Sequence, residues 1–303
     1  MNHEITHPER QGVQATLCVI VPCYNEVDGI RKTVESLLQH LSDTDQSFEI
    51  VVVDDGSSDG SSGVLDELDR EYAELRVAQH RRNRGYGAAL KTGIRRSSAE
   101  FIAITDADGS YPLERLPELI ALCWNADMVV GARTAPDVEY PLIRRIPKSF
   151  LVAYSSWLTG EPIPDINSGM RVFRRSVADN YMNILPDTFS FTSTITMALL
   201  CNRYDVRFVP IGYTARIGRS KIRPIRDTLR IFQLILRTGM YFAPIRVLAP
   251  LIAVLSLAFL ASISYDVFIS RNLTDKTVLL LLFAIQTATF TLLADMIDKR
   301  SGR

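Results

Sequence analysis

From Leu17 the chain alternates short apolar runs with stretches in which apolar residues recur every three or four positions. Leu17–Val21, Phe48–Val53, Leu75–Gln79, Phe101–Thr105, Met128–Val130 and Val206–Pro210 read as strands. Phe48–Val53 is nearly continuous in apolar residues, as a strand covered on both faces must be. Between them, Ile30, Val34, Leu37, Leu38 and Leu41 fall at helical spacing, and Asn25 is placed to cap that helix. Val64, Leu65 and Leu68 predict a short helix, Tyr86–Arg96 another, and Pro112–Asn125 a third with Pro near its first turn. The rhythm predicts an α/β fold: a mostly parallel sheet with helices on both faces. Residues 135–175 are less regular, and 176–203 look helical. No internal repeat is found.

The pattern changes at Ile222. Arg223, Arg226, Arg230 and Arg237 interleave with apolar residues over 222–244, a basic amphipathic segment of the kind that lies in a membrane interface. Val247–Tyr265 and Thr277–Ala294 then run 19 and 18 residues without a charge, close to the ~20 needed to cross a bilayer. The short link Asp266–Lys276 makes them a hairpin. The expected organisation is therefore a body over 1–221, a juxtamembrane segment over 222–244, and a membrane hairpin with a short tail over 245–303.

Charge sharpens this division. The chain is neutral overall, with 34 basic and 34 acidic residues, so no global field draws it to nucleic acid. Residues 222–303 nevertheless carry 10 Lys/Arg against 5 Asp/Glu. The basic residues gather before the first span and after the second, which by the positive-inside rule puts body and C-terminus in the cytoplasm, at an inner or plasma membrane. The first fifteen residues lack an apolar core, so no secretory signal is expected there. The four cysteines, Cys18, Cys23, Cys123 and Cys201, show no C-x-x-C spacing and sit in apolar surroundings, as buried thiols would.

The chemically conspicuous residues sit at strand ends, where open α/β sheets bind ligands. Asp54 and Asp55 end the second strand in a Gly/Ser turn and can accept bonds from a base or a ribose hydroxyl, or cap a helix. Pro22, Tyr24 and Glu26 close the first strand; Tyr24 could stack on a base and Glu26 bind a ribose. Asn83–Leu90, with Gly85 and Gly87, supplies small residues at a helix N-terminus where a ligand can come close. Read literally it is an incomplete dinucleotide fingerprint with Leu90 in the third glycine's place. Asp106-Ala107-Asp108 follows the fourth strand. Two carboxylates on one side of a tight turn suit a hard cation shared with substrate phosphates.

Together these segments resemble the family-two glycosyltransferases of the GT-A fold. The likeness is nearest to the branch that charges polyprenyl phosphates, the dolichol-phosphate mannose synthases and bacterial undecaprenyl-phosphate glycosyltransferases. It covers about 20–240 and rests on VPCYNE, VVVDDGSSDG, NRGYGAALKTG, TDADG, Gly131-Ala132-Arg133, Asp165–Arg171 and Arg216–Lys221. The resemblance implies a metal-dependent inverting hexosyltransferase using a UDP- or GDP-sugar. It implies that Pro22, Tyr24, Glu26, Asp54, Asp55 and Gly85 serve the nucleotide, with Asp106. Asp106 and Asp108 would hold Mg²⁺ or Mn²⁺. Arg133, Arg144, Arg216 and Lys221 would line the donor and acceptor phosphates, and Ser168, Arg171 and Ser220 the acceptor side. Arg144 could equally be a membrane-surface charge, and Arg171 a salt bridge within the body.

One departure from the family is informative. Many members place an acidic general base at the start of a later helix, and the corresponding Phe189–Thr194 has no acid. A hydroxyl acceptor needs such a base; a phosphate monoester, with a second pKa of ~6, is already anionic at neutral pH. The expected acceptor is thus a polyprenyl phosphate, undecaprenyl phosphate in a bacterium. The alternatives are transfer to another membrane-lipid hydroxyl, a nicotinamide-dependent membrane oxidoreductase, and a non-catalytic anchored binding protein. A hairpin of two helices could also be stabilised by self-association into a homo-oligomer.

Overall fold

The computed structural model describes residues 15–44, 46–134, 152–214, 233 and 236–301. In chain order the elements are β1 (Leu17–Cys23), α1 (Ile30–Ser42), β2 (Phe48–Asp54), α2 (Ser61–Glu71), β3 (Leu75–Gln79), α3 (Tyr86–Arg96), β4 (Phe101–Ile104), a 3-10 turn running into α4 (Leu116–Cys123), and β5 (Met128–Ala132). Then come α5 (152–159), β6 (Arg171–Arg174), α6 (Arg175–Tyr181), α7 (Phe191–Cys201), β7 (Val206–Pro210), α8 (236–242), α9 (Pro244–Tyr265) and α10 (Asp275–Ser301). The chain falls into two compact units, one of 1–139, 167–192 and 205–221, the other of 140–166, 193–204 and 222–303.

The first unit holds a seven-stranded sheet in the order β3-β2-β1-β4-β6-β5-β7. All pairs are parallel except those of β6, which runs antiparallel between β4 and β5. The core explains the strands: Leu17–Val21 and Ile50–Val53 are buried along their whole length, and helix α1 lays Ile30, Thr33, Val34, Leu37 and Leu41 against them at the 3.6-residue period. β6 was not expected from the sequence. Its four residues, RVFR, carry arginines at both ends and give no apolar run, yet it pairs on both edges.

Three further expectations change. Asn25 does not cap α1; the residue before that helix is Gly29, and Asn25 takes a left-handed turn (φ 56°) with its side chain accepting from the Ser58 amide. The stretch 176–203, expected to be helical, is interrupted over 182–190 between two helices. The hairpin link, expected short over Asp266–Lys276, is shorter still: α9 continues into a π turn over Asp266–Ser270 and α10 begins at Asp275.

In the second unit, Pro244–Ser270 and Asp275–Ile297 are long and apolar enough to cross a membrane, and only 6% and 11% of their apolar windows are buried. A soluble core helix would be covered, so these faces need another apolar environment. The two helices pack on each other. At their junction the Asp266 carboxylate accepts from the Thr274 amide and hydroxyl, both 2.8 Å, and from the Thr277 hydroxyl, 2.7 Å, so this acid closes the hairpin. The basic segment 222–244 lies mostly outside the described residues.

Candidate active site

The register brings the conspicuous residues to one edge of the sheet. Cys23 faces Asp54 and Asp54 faces Gln79, while Ile104, Arg171 and Val130 stand level across β4, β6 and β5. The segments just beyond, namely Tyr24–Glu26, Asp55–Ser57, Asp106–Asp108, Arg133 and Ser168–Gly169, therefore share that edge.

The carboxylates there divide by environment. Asp54 is buried and accepts from the Ser57 amide (2.9 Å), Ser62 Oγ (2.5 Å) and Gln79 Nε2 (3.2 Å). Asp55 is buried too. Its carboxylate accepts from the amides of Arg84 and Gly85, each at 2.8 Å, and pairs with His80 Nδ1 at 2.6 Å. Asp55 thus braces β2 to the loop before α3. Beside it, the Tyr24–Val27 turn is stapled to the next loop by Asn25 N to Ser57 Oγ, Glu26 N to Ser61 Oγ and Val27 N to Asp59 Oδ2, all 3.0–3.1 Å. Tyr24 remains 37% exposed, a ring at the site's edge.

The Asp106–Asp108 turn is held from several sides. Asp108 is buried, and its Oδ1 accepts the Ser110 amide and hydroxyl. Thr33 Oγ1 donates to the Ala107 carbonyl at 3.1 Å. Gly29 lies so close that a Cβ there would sit 2.7 Å from that oxygen, which is why glycine opens α1. The Ser110 carbonyl accepts the Thr214 amide and hydroxyl. Asp106 is half-buried and accepts from the Tyr86 hydroxyl at 3.1 Å. Burial, then the neighbouring Asp106 carboxylate, pushes the Tyr86 phenol well above its ordinary pKa, and burial does the same to Tyr111.

Of the cationic and acceptor-side residues, Arg133 lies 5.2 Å over the Tyr213 ring, which packs edge-on against Tyr111. Ser168 is buried and donates to the Gly131 carbonyl; the Gly169 amide donates to the Tyr111 hydroxyl at 2.6 Å. Arg171 is fully buried on β6 and donates to the carbonyls of Ser168 and Thr192. It ties the start of β6 to the start of α7. Arg144, Arg216, Ser220 and Lys221 lie outside the described residues.

Gly85 and Gly87 come close to the chain itself. A Cβ on Gly87 would stand 2.1 Å from the Pro186 carbonyl oxygen, and one on Gly85 2.4 Å from that of Asp187. The small residues at the start of α3 thus admit the 186–188 backbone. The dinucleotide reading loses its footing, since its glycines need that space for a pyrophosphate. Sequence reasoning missed Gly29, Tyr86, Tyr111, Gly169 and Tyr213 as site-builders. Only the glycines carried a signal, and it named a close approach without its partner.

The donor set fits a divalent cation. Asp106 and Asp108 offer hard oxygens, and no group of three His, Cys, Asp or Glu residues that could hold a metal gathers among the described residues. The remaining positions of such an ion would fall to ligand oxygens and water, the habit of Mg²⁺ and Mn²⁺ at phosphate sites. Gly169 lets the chain pack against Asp106, since a Cβ there would lie 2.9–3.0 Å from the carboxylate oxygens.

A strand-end pair of carboxylates on a mostly parallel sheet interrupted by one antiparallel strand is the arrangement expected of a GT-A fold. The chain belongs to glycosyl transferase family 2, whose profile matches residues 18–182. It is 32% identical to a polyprenol monophosphomannose synthase of Mycolicibacterium smegmatis over 69% of this chain and 81% of that one. It is 30% identical to an undecaprenyl-phosphate mannosyltransferase of Micrococcus luteus, over 67% and 86%. Of other curated relatives it spans little more than half the length, 52% and 56%. In fold it is similar to glucosyl-3-phosphoglycerate synthase of Mycobacterium tuberculosis, solved with Mn²⁺, UDP and glucosyl-3-phosphoglycerate, at a TM-score of 0.55 and 17% identity over 74% of this chain and 80% of that one. The chain is thus a glycosyltransferase, and the GT-A architecture expected from its motifs is present.

Proposed function

We propose that this protein transfers a hexose from a nucleoside-diphosphate sugar to a polyprenyl phosphate, with inversion, at the cytoplasmic face of a membrane in which residues 245–303 anchor it. The observation that carries this reading is the first turn of α7. It holds no acidic residue, in a chain whose relatives are a polyprenol monophosphomannose synthase and an undecaprenyl-phosphate mannosyltransferase. A lipid hydroxyl would need a base to remove its proton, whereas a phosphate monoester brings its own anionic oxygen.

In this reading Pro22, Tyr24 and Glu26 contact the nucleoside, while Asp54, Asp55 and Gly85 hold the loops that shape its seat. Asp106 and Asp108 would hold Mg²⁺ or Mn²⁺, which would neutralise charge on the departing diphosphate. An oxygen of the acceptor phosphate attacks the anomeric carbon from the face opposite the diphosphate. The new C–O bond forms as the bond to the nucleoside diphosphate breaks. Arg133, with Arg144, Arg216 and Lys221, offsets the repulsion between two polyanions in one site. The cytoplasmic placement rests on the arginines and lysines that flank the two spans.

The test is transfer by the full chain in detergent, from UDP- and GDP-sugars, to a polyprenyl phosphate and to the matching polyprenol. The expected result is a glycosyl-phosphoryl-polyprenol and no product from the alcohol, with Asp108→Asn abolishing turnover. Product from the alcohol, or wild-type turnover by Asp108→Asn at saturating metal, would overturn the assignment.

A further inference from the structure

The Asp106 carboxylate is bounded on two sides by residues far from it in sequence. On one side Gly169 leaves room that any Cβ would take. On the other, the Tyr86 hydroxyl donates to Oδ1 at 3.1 Å. Tyr86 is the first residue of α3, so the helix end fixes where its hydroxyl can reach. Its ring is fixed as well: Phe189 stacks on it, with centroids 5.3 Å apart and planes 19° from parallel.

Phe189 is 80% exposed, so its own burial contributes little to stability. The segment that carries it is nonetheless tied down at several points. Gly85 and Gly87 admit its backbone, the Ala88 amide donates to the Asp187 carbonyl at 3.1 Å, and Lys91 Nζ meets the Asp187 carboxylate at 2.7 Å. A clasp of this kind around an exposed phenylalanine is unneeded for the core. It is what would be required to hold a phenol in one rotamer beside a carboxylate. A donor to one oxygen of a ligating carboxylate orients it and tunes its affinity for the ion.

We propose that Tyr86 is a positioning residue for Asp106: it sets the carboxylate's orientation for a divalent cation, and the 186–189 clasp, through Phe189, keeps Tyr86 in place. The inference rests on the assignment of Asp106 and Asp108 as cation ligands, and the experiment separates the two. Mn²⁺ binding to the full chain in detergent is followed by the electron paramagnetic resonance signal of free Mn²⁺, with UDP or GDP present. Tyr86→Phe keeps the ring stack and removes only the hydroxyl. It should weaken Mn²⁺ binding by about 10- to 100-fold, with the thermal midpoint and the metal-free nucleotide affinity unchanged. Phe189→Leu, which keeps the clasp and removes the stack, should weaken Mn²⁺ in the same direction by less.

Asp108→Asn serves as the reference. If it binds Mn²⁺ like the wild type, the cation assignment itself falls, and the role of Tyr86 with it. If Asp108→Asn loses the ion while Tyr86→Phe retains wild-type affinity, the cation assignment stands and the positioning role is overturned. A lower thermal midpoint in Tyr86→Phe with unchanged Mn²⁺ affinity would likewise make the tyrosine a packing residue only.

Discussion

Replacing Asp55 tests whether the second aspartate of the Asp54-Asp55 pair serves the fold or touches the nucleotide. Its carboxylate takes three donors: the amides of Arg84 and Gly85 at 2.8 Å and His80 Nδ1 at 2.6 Å. Each bond to a charged acceptor contributes about 1.5–3 kcal/mol. Arg84 is exposed and Gly85 half-buried, so water recovers part of what their amides lose when the carboxylate goes. His80 is buried, with its other nitrogen 2.9 Å from Thr92 Oγ1, and its Nδ1 proton would have no such relief. Asp55→Ala should therefore cost about 3–5 kcal/mol rather than three full increments. Asp55→Asn keeps one acceptor but turns an amide donor toward a backbone donor, and should cost about 2 kcal/mol.

The cost is local before it is global, because these bonds close the loop between β3 and α3. At about 1.4 kcal/mol per factor of ten, a loss of ~3 kcal/mol raises local opening by about 100-fold. Hydrogen exchange read by mass spectrometry on a peptide spanning 80–90 should show that loss of protection in Asp55→Ala, with a smaller one in Asp55→Asn. The reasoning is refuted if Asp55→Ala leaves exchange over 80–90 and the thermal midpoint at wild-type values while nucleotide affinity collapses. The carboxylate would then be a ligand contact and its three bonds incidental.

Two further outcomes follow from packing and burial. Gly87→Ala must part the 186–188 backbone from α3, since its Cβ would stand 2.1 Å from the Pro186 oxygen. A fall of about 1–3 kcal/mol is expected in a denaturation series. Gly63→Ala, on α2 with nothing within 4 Å of its Cβ, should raise stability by up to ~1 kcal/mol, and equal midpoints for the two variants would contradict the clasp. The thiols of Cys18, Cys23 and Cys123 are pushed up to about 12, first by burial. Their thiolate fraction at pH 8 is thus about one in ten thousand, and N-ethylmaleimide should leave all three unlabelled until the chain is unfolded; fast native labelling of any one would show the core to be looser than described.

The parts of the fold legible in the sequence were those whose signal is local. β1, β2 and β4 announced themselves as continuous apolar runs because both faces are covered, and α1 by the period of its buried face. β6 was illegible because its pairing, not its composition, makes it a strand: two neighbours satisfy its backbone while Arg171 is buried on it. Asn25 looked like a cap because the residue type fits one, yet its partner is Ser58, 33 positions away. The same holds at the site. Asp106 and Asp108 were visible because both stand just beyond one strand. Tyr86 and Gly169 reach Asp106 only through the third dimension. For Arg144, Arg216, Ser220 and Lys221 the sequence remains the argument.

Four aspartates read alike in the sequence, two pairs each following a buried strand, and their surroundings assign them different work. Asp54 takes donors from Ser57, Ser62 and Gln79, and Asp55 from His80, Arg84 and Gly85, so both carboxylates brace loops. Asp108 is buried and closes its own turn on Ser110. Asp106 alone of the four is half-buried, and its carboxylate lies against Gly169 where any Cβ would collide with it. The turn between the last two is fixed through Ala107 by Thr33, through Ser110 by Thr214, and by the backbone of α1 at Gly29. A ligand arriving at Asp106 therefore meets oxygens already placed, and little of its binding energy goes into ordering the loop. Such preorganisation is most useful where charge builds on a leaving group, because dipoles and carboxylates that need not move stabilise it most. In the proposed mechanism the chemistry of this edge turns on one half-buried carboxylate, Asp106, and on whatever keeps it pointing the right way.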